Sequence, residues 1–365
     1  MDELRRQLQE RSPETIRFSA SLEDSISDVR FTSNYRVPFP YRKYLPDEFK
    51  TGSIVEETKG VMIKDIDGNW NYDLFGSYGV NVFGYDFYKD CMEAGFAKVK
   101  KLGPVLGPYH PLIRENVEKL KTISGLDEVS FHMSGTEAVM QAVRLARYHT
   151  GKTHLVRLCG AFHGWWDGVQ PGIGNQRKTN DVYTLSDMSQ ATLKVLETRN
   201  DIACVLINPL QALHPNADAS SDASLINSAR RAQFDRENYT LWLKQIRHVC
   251  SRRQIVLIFD EVSTGFRFSP GGVQPVLSVE PDMAVFAKSI SNGYAMGAVV
   301  GRRAVMEPAS TMFVSSTYWS DTIGLRAALT TLREIRRRNV PDQLDQLGRT
   351  LQERLNAAAE ETSSP

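Results

Sequence analysis

Six short apolar runs, separated by helical stretches or small-residue loops, constrain this chain more than anything else in it. They are residues 129–132, 154–158, 203–207, 255–259, 283–287 and 297–300, with helical patterns between them that include 136–148 and 237–250. A strand with one wet face alternates apolar and polar residues. These runs are apolar at nearly every position, so both faces of the sheet they form must be covered. Buried strands divided by helices imply an α/β fold, with a largely parallel sheet between helical layers. A different pattern precedes them. Residues 60–75 alternate apolar and polar around Asp67-Gly68, which predicts a hairpin. Residues 1–50 begin with an amphipathic stretch and pass into VPFPYRKYLPDEF, and together they read as an arm. Residues 211–236 are polar and read as a surface loop, and two helices are predicted beyond Thr322, broken near Asn339-Val340-Pro341.

In open α/β sheets ligands sit beyond the carboxyl ends of the strands, so the residue after each run carries the chemistry. Asp260 follows 255–259 in IVLIFDEVSTGFR. A carboxylate there is costly to bury unless a cation meets it; an ordinary ion pair or helix N-cap would also account for it. Lys288 follows in PDMAVFAKSISNGY. Desolvation makes an amine available as a nucleophile toward carbonyls, whereas a lysine that only reaches out to solvent would do nothing. Ser134, Gly135 and Thr136 open an amphipathic helix after 129–132. Exposed backbone N–H groups there suit a phosphate, and Ser134 with Glu137 also has the spacing of a plain capping box. Phe162, His163, Trp165 and Trp166 lie between glycines after 154–158, aromatic groups that can stack on a flat ring. His163 fits either a polar ring contact or a satisfied loop histidine. Together these ends ask for one ligand with a phosphate, an aromatic ring, a basic ring nitrogen and an aldehyde, and pyridoxal 5′-phosphate has all four.

Composition narrows the alternatives. A net charge of +1 with acids and bases interspersed argues against a dedicated nucleic-acid surface. No apolar run reaches membrane-spanning length, and MDELRRQLQE lacks the apolar core of a signal peptide, so a cytoplasmic location is expected. The four cysteines, Cys91, Cys159, Cys204 and Cys250, form no CxxC pair. No metal is expected, and four buried free thiols are.

The segments YDLFGSYG, GPVLGPYHP, SGTEAVMQAVRLAR, GAFHGWWDG, IFDEVSTGFR, PDMAVFAKSISNGYAMGAVVGRR and SSTYWSDTIGLRAAL resemble the class III aminotransferases of fold type I, most closely the glutamate-1-semialdehyde aminomutase-like branch. The resemblance runs from about Gly60 to Ala328, and Asp260 and Lys288 stand 28 residues apart as in that family. It implies a mostly parallel seven-stranded central sheet sandwiched by helices. It also implies an N-terminal arm over 1–59, a large cofactor-binding domain over 60–325, and over 326–365 a linking helix and the start of an incomplete C-terminal small domain. By position, Lys288 looks like the Schiff-base lysine and Asp260 like the partner of the pyridinium nitrogen. Val262 and Phe162 look like the contacts on the two ring faces, and Ser134, Gly135, Thr136 and His163 like further cofactor contacts. Thr317 matches a threonine that reaches the phosphate from a neighbouring subunit, which implies a homodimer. Ser77 and Tyr78 match a pair near the substrate, and Asn208 is a third substrate candidate.

The implied activity is ping-pong transfer of an amino group from a small-molecule donor to a carbonyl acceptor through Lys288, with pyridoxamine 5′-phosphate as the intermediate carrier. An intramolecular 2,1-aminomutase would use the same residues. A cofactor-binding module with impaired catalysis is the reading of another class. The chain departs from the family at Asn208-Pro209 for Glu-Pro, at Ser320-Asp321-Thr322 for Gly-Asn-Pro, and at Phe162 for Tyr. The family includes freestanding enzymes and domains of polyketide or peptide synthases, where the acceptor is bound to a carrier protein.

Overall fold

The computed structural model describes residues 2–29, 54–103, 105–170, 175–177, 179–209 and 236–362. The Pro- and Tyr-rich part of the arm and the polar stretch 211–235 lie outside the described residues. The chain divides into two compact units, one taking Met1–Asp90 and the other Cys91–Ser220 and Arg231–Pro365.

In the first unit, strands β1 (Val55–Lys59), β2 (Met62–Asp65) and β3 (Trp70–Tyr72) form an antiparallel sheet in that order. The expected hairpin is β2–β3, pairing Met62 with Tyr72 and Lys64 with Trp70. Its turn does more than reverse the chain. The Asp67 carboxylate accepts the backbone N–H groups of Glu14 and Thr15 at 2.8 and 2.9 Å, which caps the helix Pro13–Ser25.

In the second unit, β4 (Glu128–His132), β5 (His154–Leu158), β6 (Val182–Leu185), β7 (Ile202–Ile207), β8 (Val256–Asp260), β9 (Met283–Phe286) and β10 (Gly297–Gly301) form one sheet, ordered β4-β10-β9-β8-β7-β5-β6. Pairing is parallel from β9 through β8, β7 and β5 to β6, and β10 runs antiparallel to both its neighbours. The six apolar runs are six of these strands. The seventh, β6, is an edge strand whose side chains are half-buried or exposed, so it leaves no apolar run.

Period-two alternation assigns the strand residues to two cores. Val205, Ile207, Leu257 and Phe259 join the helices Gln190–Thr198 and Arg236–Arg253 on one face. Cys204, Leu206, Val256, Ile258, Met283 and Val285 join the helix Gly135–Thr150 on the other. Burying each of these larger side chains contributes roughly 1.5–3 kcal/mol, which is why both faces are apolar. Asp260 continues the alternation of Val256 and Ile258, so it emerges on the face of the Gly135 helix. Ala287 continues that of Met283 and Val285 onto the same face.

Beyond the sheet, Asp321 caps the helix Thr322–Arg337 by accepting the N–H groups of Ile323 and Gly324 at 3.0 and 3.2 Å. Ser320 is buried and accepts the Gly107 N–H at 2.8 Å. The Ser-Asp-Thr departure therefore has a local structural explanation. The helix Val340–Glu361 follows, with Leu347, Leu351 and Leu355 exposed along it. All four cysteines are free. Cys91, Cys204 and Cys250 are buried as expected, and burial pushes the last two thiols up to about 12. Cys159 corrects the expectation of burial: it is exposed, in the loop that follows β5.

Candidate active site

The residues at the carboxyl ends of β4, β5, β7, β8 and β9 meet on the Gly135-helix side of the sheet. Asp260 is 1% exposed, and its Oδ2 lies 2.7 Å from His163 Nδ1, itself 1% exposed. Its other oxygen, Oδ1, accepts the Val262 N–H at 3.1 Å. The carboxylate is thus held from two sides, and its neighbours rather than bulk water offset its burial. His163 acts on this carboxylate, and its Nε2 is buried without a hydrogen-bond partner among the described residues.

Lys288 stands at the start of a short 3-10 turn directly after β9, half-buried, with a left-handed φ of 44°. A non-glycine residue is rare there, and its backbone persists only where the surroundings over-determine it. The neighbouring Ser289 and Ile290 are both buried. Burial lowers the Lys288 ammonium from its usual value, and Arg267 adds to this while Asp260 opposes it. The amine donates to Ser263 Oγ at 2.6 Å. Ser263 belongs to the turn that leaves Asp260, so β8 supplies the carboxylate and β9 the amine to one small volume.

Ser134 accepts the Glu137 N–H at 3.2 Å, one half of the capping box that the spacing allowed, while the Glu137 carboxylate accepts the N–H of Met133, the residue before the cap, at 2.8 Å. The first helical position is crowded. A Cβ on Gly135 would lie 2.9 and 3.0 Å from the two Val262 methyls and 3.5 Å from Ala287 Cβ. A Cβ on Gly164 would lie 2.5 Å from Thr136 Oγ1. Glycine is required at both positions by the close approach of the helix start, the 162–164 loop and the Val262 turn. Asn208, after β7, donates from Nδ2 to the Phe162 carbonyl at 3.2 Å, while its Oδ1 is buried without a hydrogen-bond partner among the described residues. The Phe162 ring is exposed.

Contacts therefore join Ser134, Gly135, Thr136, Phe162, His163, Asn208, Asp260, Val262 and Lys288. Thr317 is exposed, ahead of the helix Thr322–Arg337. Ser77 and Tyr78 belong to the first unit, both with left-handed φ, of 52° and 59°. There Ser77 Oγ lies 3.3 Å from Tyr85 Oη, and the Tyr78 ring packs edge-on against Phe75 at 4.4 Å.

Three residues of DEVSTGFR escaped the sequence reading: Ser263 and Arg267 beside the amine, and Glu261. Glu261 is wholly buried. Its Oε1 accepts the Val273 N–H and its Oε2 the Thr264 hydroxyl, both at 2.7 Å. Burial pushes its carboxyl up to about 7. The unfolded chain ionises this group near 4.5 and the folded chain only near 7. Its contribution is fully present below 4.5 and is lost as pH rises through 7, at no more than about 1.4 kcal/mol per pH unit. In urea unfolding between pH 5 and 7, Glu261→Gln should show a flatter pH dependence than the parent. Equal slopes would contradict this.

These residues fit pyridoxal phosphate. The carboxylate is buried and braced, the amine beside it has a lowered pKa, and the helix start carries no side chain at Gly135. His163 Nε2 and Asn208 Oδ1 still lack hydrogen-bond partners among the described residues. A charged group at a helix start gains from the oriented N–H groups there.

The family model "Aminotransferase class-III" matches residues 46–364. The glutamate-1-semialdehyde 2,1-aminomutase of Methanocaldococcus jannaschii is 30% identical over 316 residues, covering 81% of this chain and 68% of that protein. The 3-aminobutyryl-CoA aminotransferase of Cloacimonas acidaminovorans is 29% identical over 333 residues, covering 89% and 75%. Among solved structures, a β-phenylalanine aminotransferase from Variovorax paradoxus matches with a TM-score of 0.73 at 20% identity, covering 98% of this chain and 77% of that one. The FumI protein of Sphingopyxis sp. MTA144, solved with its pyridoxal phosphate, matches at 0.72 and 23%, covering 84% and 71%. These last two share the fold. The chain belongs to the class-III aminotransferases, a family of enzymes that use pyridoxal 5′-phosphate.

Proposed function

We propose that this chain transfers an amino group from a small-molecule amino donor to a carbonyl acceptor in two half-reactions, with Lys288 as the residue that carries the cofactor. The observation that carries this reading is the pairing at the ends of β8 and β9. Asp260 is buried and held 2.7 Å from His163, and the Lys288 amine is hydrogen-bonded at 2.6 Å to the turn that begins at Asp260.

In this reading Asp260 holds the pyridine nitrogen and His163 fixes the Asp260 carboxylate. Val262 and Phe162 face the two sides of the ring, and Ser134, Gly135 and Thr136 take the phosphate. When bound, the cofactor supplies an electron sink and a temporary carrier for the amino group. The chain's own work is proton movement and orientation. The Lys288 amine, once free, takes the proton from the donor's α-carbon and returns one on the other side of the transfer. Its lowered pKa increases the neutral fraction available for this step. Thr317 is exposed, as a residue reaching the phosphate site of a second copy in a homodimer would be. In this reading Ser77, Tyr78 and Asn208 are candidates for substrate contact. Asn208 is neutral where a glutamate is common, so the site carries one negative charge fewer, and an acceptor bound to a carrier protein belongs to this reading without resting on that charge. The large domain, in the same reading, covers 60–325 and the linking helix, which starts at Thr322, carries the chain on into 326–365. Among the described residues no helix is long and apolar enough to cross a membrane, and the cytoplasm is the proposed location.

An intramolecular 2,1-aminomutase is the second reading, favoured by the 30% identity to the Methanocaldococcus enzyme. A panel of amino donors and carbonyl acceptors separates the two. Transfer predicts that product forms only when an external donor and an acceptor are both present. Isomerisation of a single amino-carbonyl substrate without an external donor would overturn the transfer reading.

A further inference from the structure

Both ends of the contact between Lys288 and Ser263 are rigid. The Ser263 turn is tied by Gly265 N–H to the Glu261 carbonyl at 2.8 Å, by the Thr264 hydroxyl to Glu261 Oε2 at 2.7 Å, and by Val262 N–H to Asp260 Oδ1 at 3.1 Å. Glu261 in turn is anchored to Val273 N–H at 2.7 Å. At the other end, the Lys288 backbone is held in a left-handed conformation ahead of two buried residues. Between these ends lies a flexible four-carbon stem. Something must select one position for its amine, and the Ser263 hydroxyl makes that hydrogen bond at 2.6 Å.

We propose that Ser263 is a positioning residue: its hydroxyl receives the Lys288 amine whenever that amine is not covalently engaged, and so fixes the base for proton transfer. The proposal rests on the reading of Lys288 as the cofactor lysine. Two charged side chains also act on this amine, Arg267 from the same turn and Asp260 from the end of β8. Neither replaces the hydroxyl, since a guanidinium repels an ammonium and Asp260 is already bonded to His163 and the Val262 N–H. A hydroxyl oxygen that accepts from the amine favours its charged form, so removing it lowers the pH at which the amine becomes reactive.

The test uses the full chain freed of cofactor, with acetic anhydride as the probe and mass spectrometry of the Lys288 peptide as the readout, followed across pH. In Ser263→Ala the midpoint of Lys288 labelling should fall by about one pH unit. In the loaded enzyme kcat should fall about tenfold, with KM for the donor unchanged. Ser263→Thr should restore both, and Ser263→Val, which matches threonine in shape, should not. An unchanged labelling midpoint in Ser263→Ala would overturn the proposal. So would equal behaviour of the Thr and Val variants, a comparison that decides the matter even if the Ala variant fails to fold. The labelling does not depend on whether Lys288 carries the cofactor, whereas Lys288→Ala tests that reading separately.

Discussion

Lys288→Ala is expected to lower turnover by at least about a thousandfold, because one substitution removes both the point of attachment and the acid–base group. The fold should survive. Lys288 is half-buried, its side chain makes one hydrogen bond, and the sheet core ends before it. Alanine at a φ of 44° meets the same backbone strain as lysine, so the variant inherits the local geometry. The prediction is therefore specific: far-ultraviolet circular dichroism and the urea midpoint stay close to the parent while turnover collapses. Multiple turnovers at a parent-like rate would remove Lys288 from the mechanism.

Asp260→Asn carries the second large effect. The amide keeps the shape of the carboxyl group and can still meet His163, but it no longer offers a fixed negative charge at the ring-nitrogen position. Removing one preorganised electrostatic group from a water-poor site costs about a hundredfold or more in kcat. The buried pair is also structural, and breaking such a pair outright costs about 3–5 kcal/mol when a charge is left behind. Asparagine leaves no charge behind, so the stability loss should be small beside the rate loss. A large drop in the urea midpoint with unchanged kcat would make Asp260 and His163 a structural pair only.

The strands most legible from sequence were the central ones, buried on both faces and apolar nearly throughout. Edge strand β6, with Val182, Tyr183 and Leu185 only half-buried, reads like any polar connection. Asp260 and Lys288 were legible because a charge after a buried strand is costly and stands out. Ser263, Arg267 and Glu261 were not. A serine in a turn carries no periodic signal, and the burial of Glu261 depends on Val273 and Thr264 folding over it. The partner of His163 was also beyond sequence reach. It lies 97 residues away in the chain, and only the adjacency of β5, β7 and β8 brings the two side chains together. Cys159 lies just past its apolar run, and the sequence alone does not tell whether such a loop residue is covered.

Every step of the proposed transfer depends on Lys288 being the residue joined to the cofactor. Borohydride reduction of the loaded protein fixes the cofactor on whichever side chain holds it, and proteolysis with mass spectrometry then locates it. The account predicts a pyridoxyl-phosphate adduct on Lys288 in the peptide containing AVFAKSISNGY, at near-full occupancy and absent from Lys288→Ala. An adduct on another lysine, or none on Lys288 in a protein that still turns over, would contradict it.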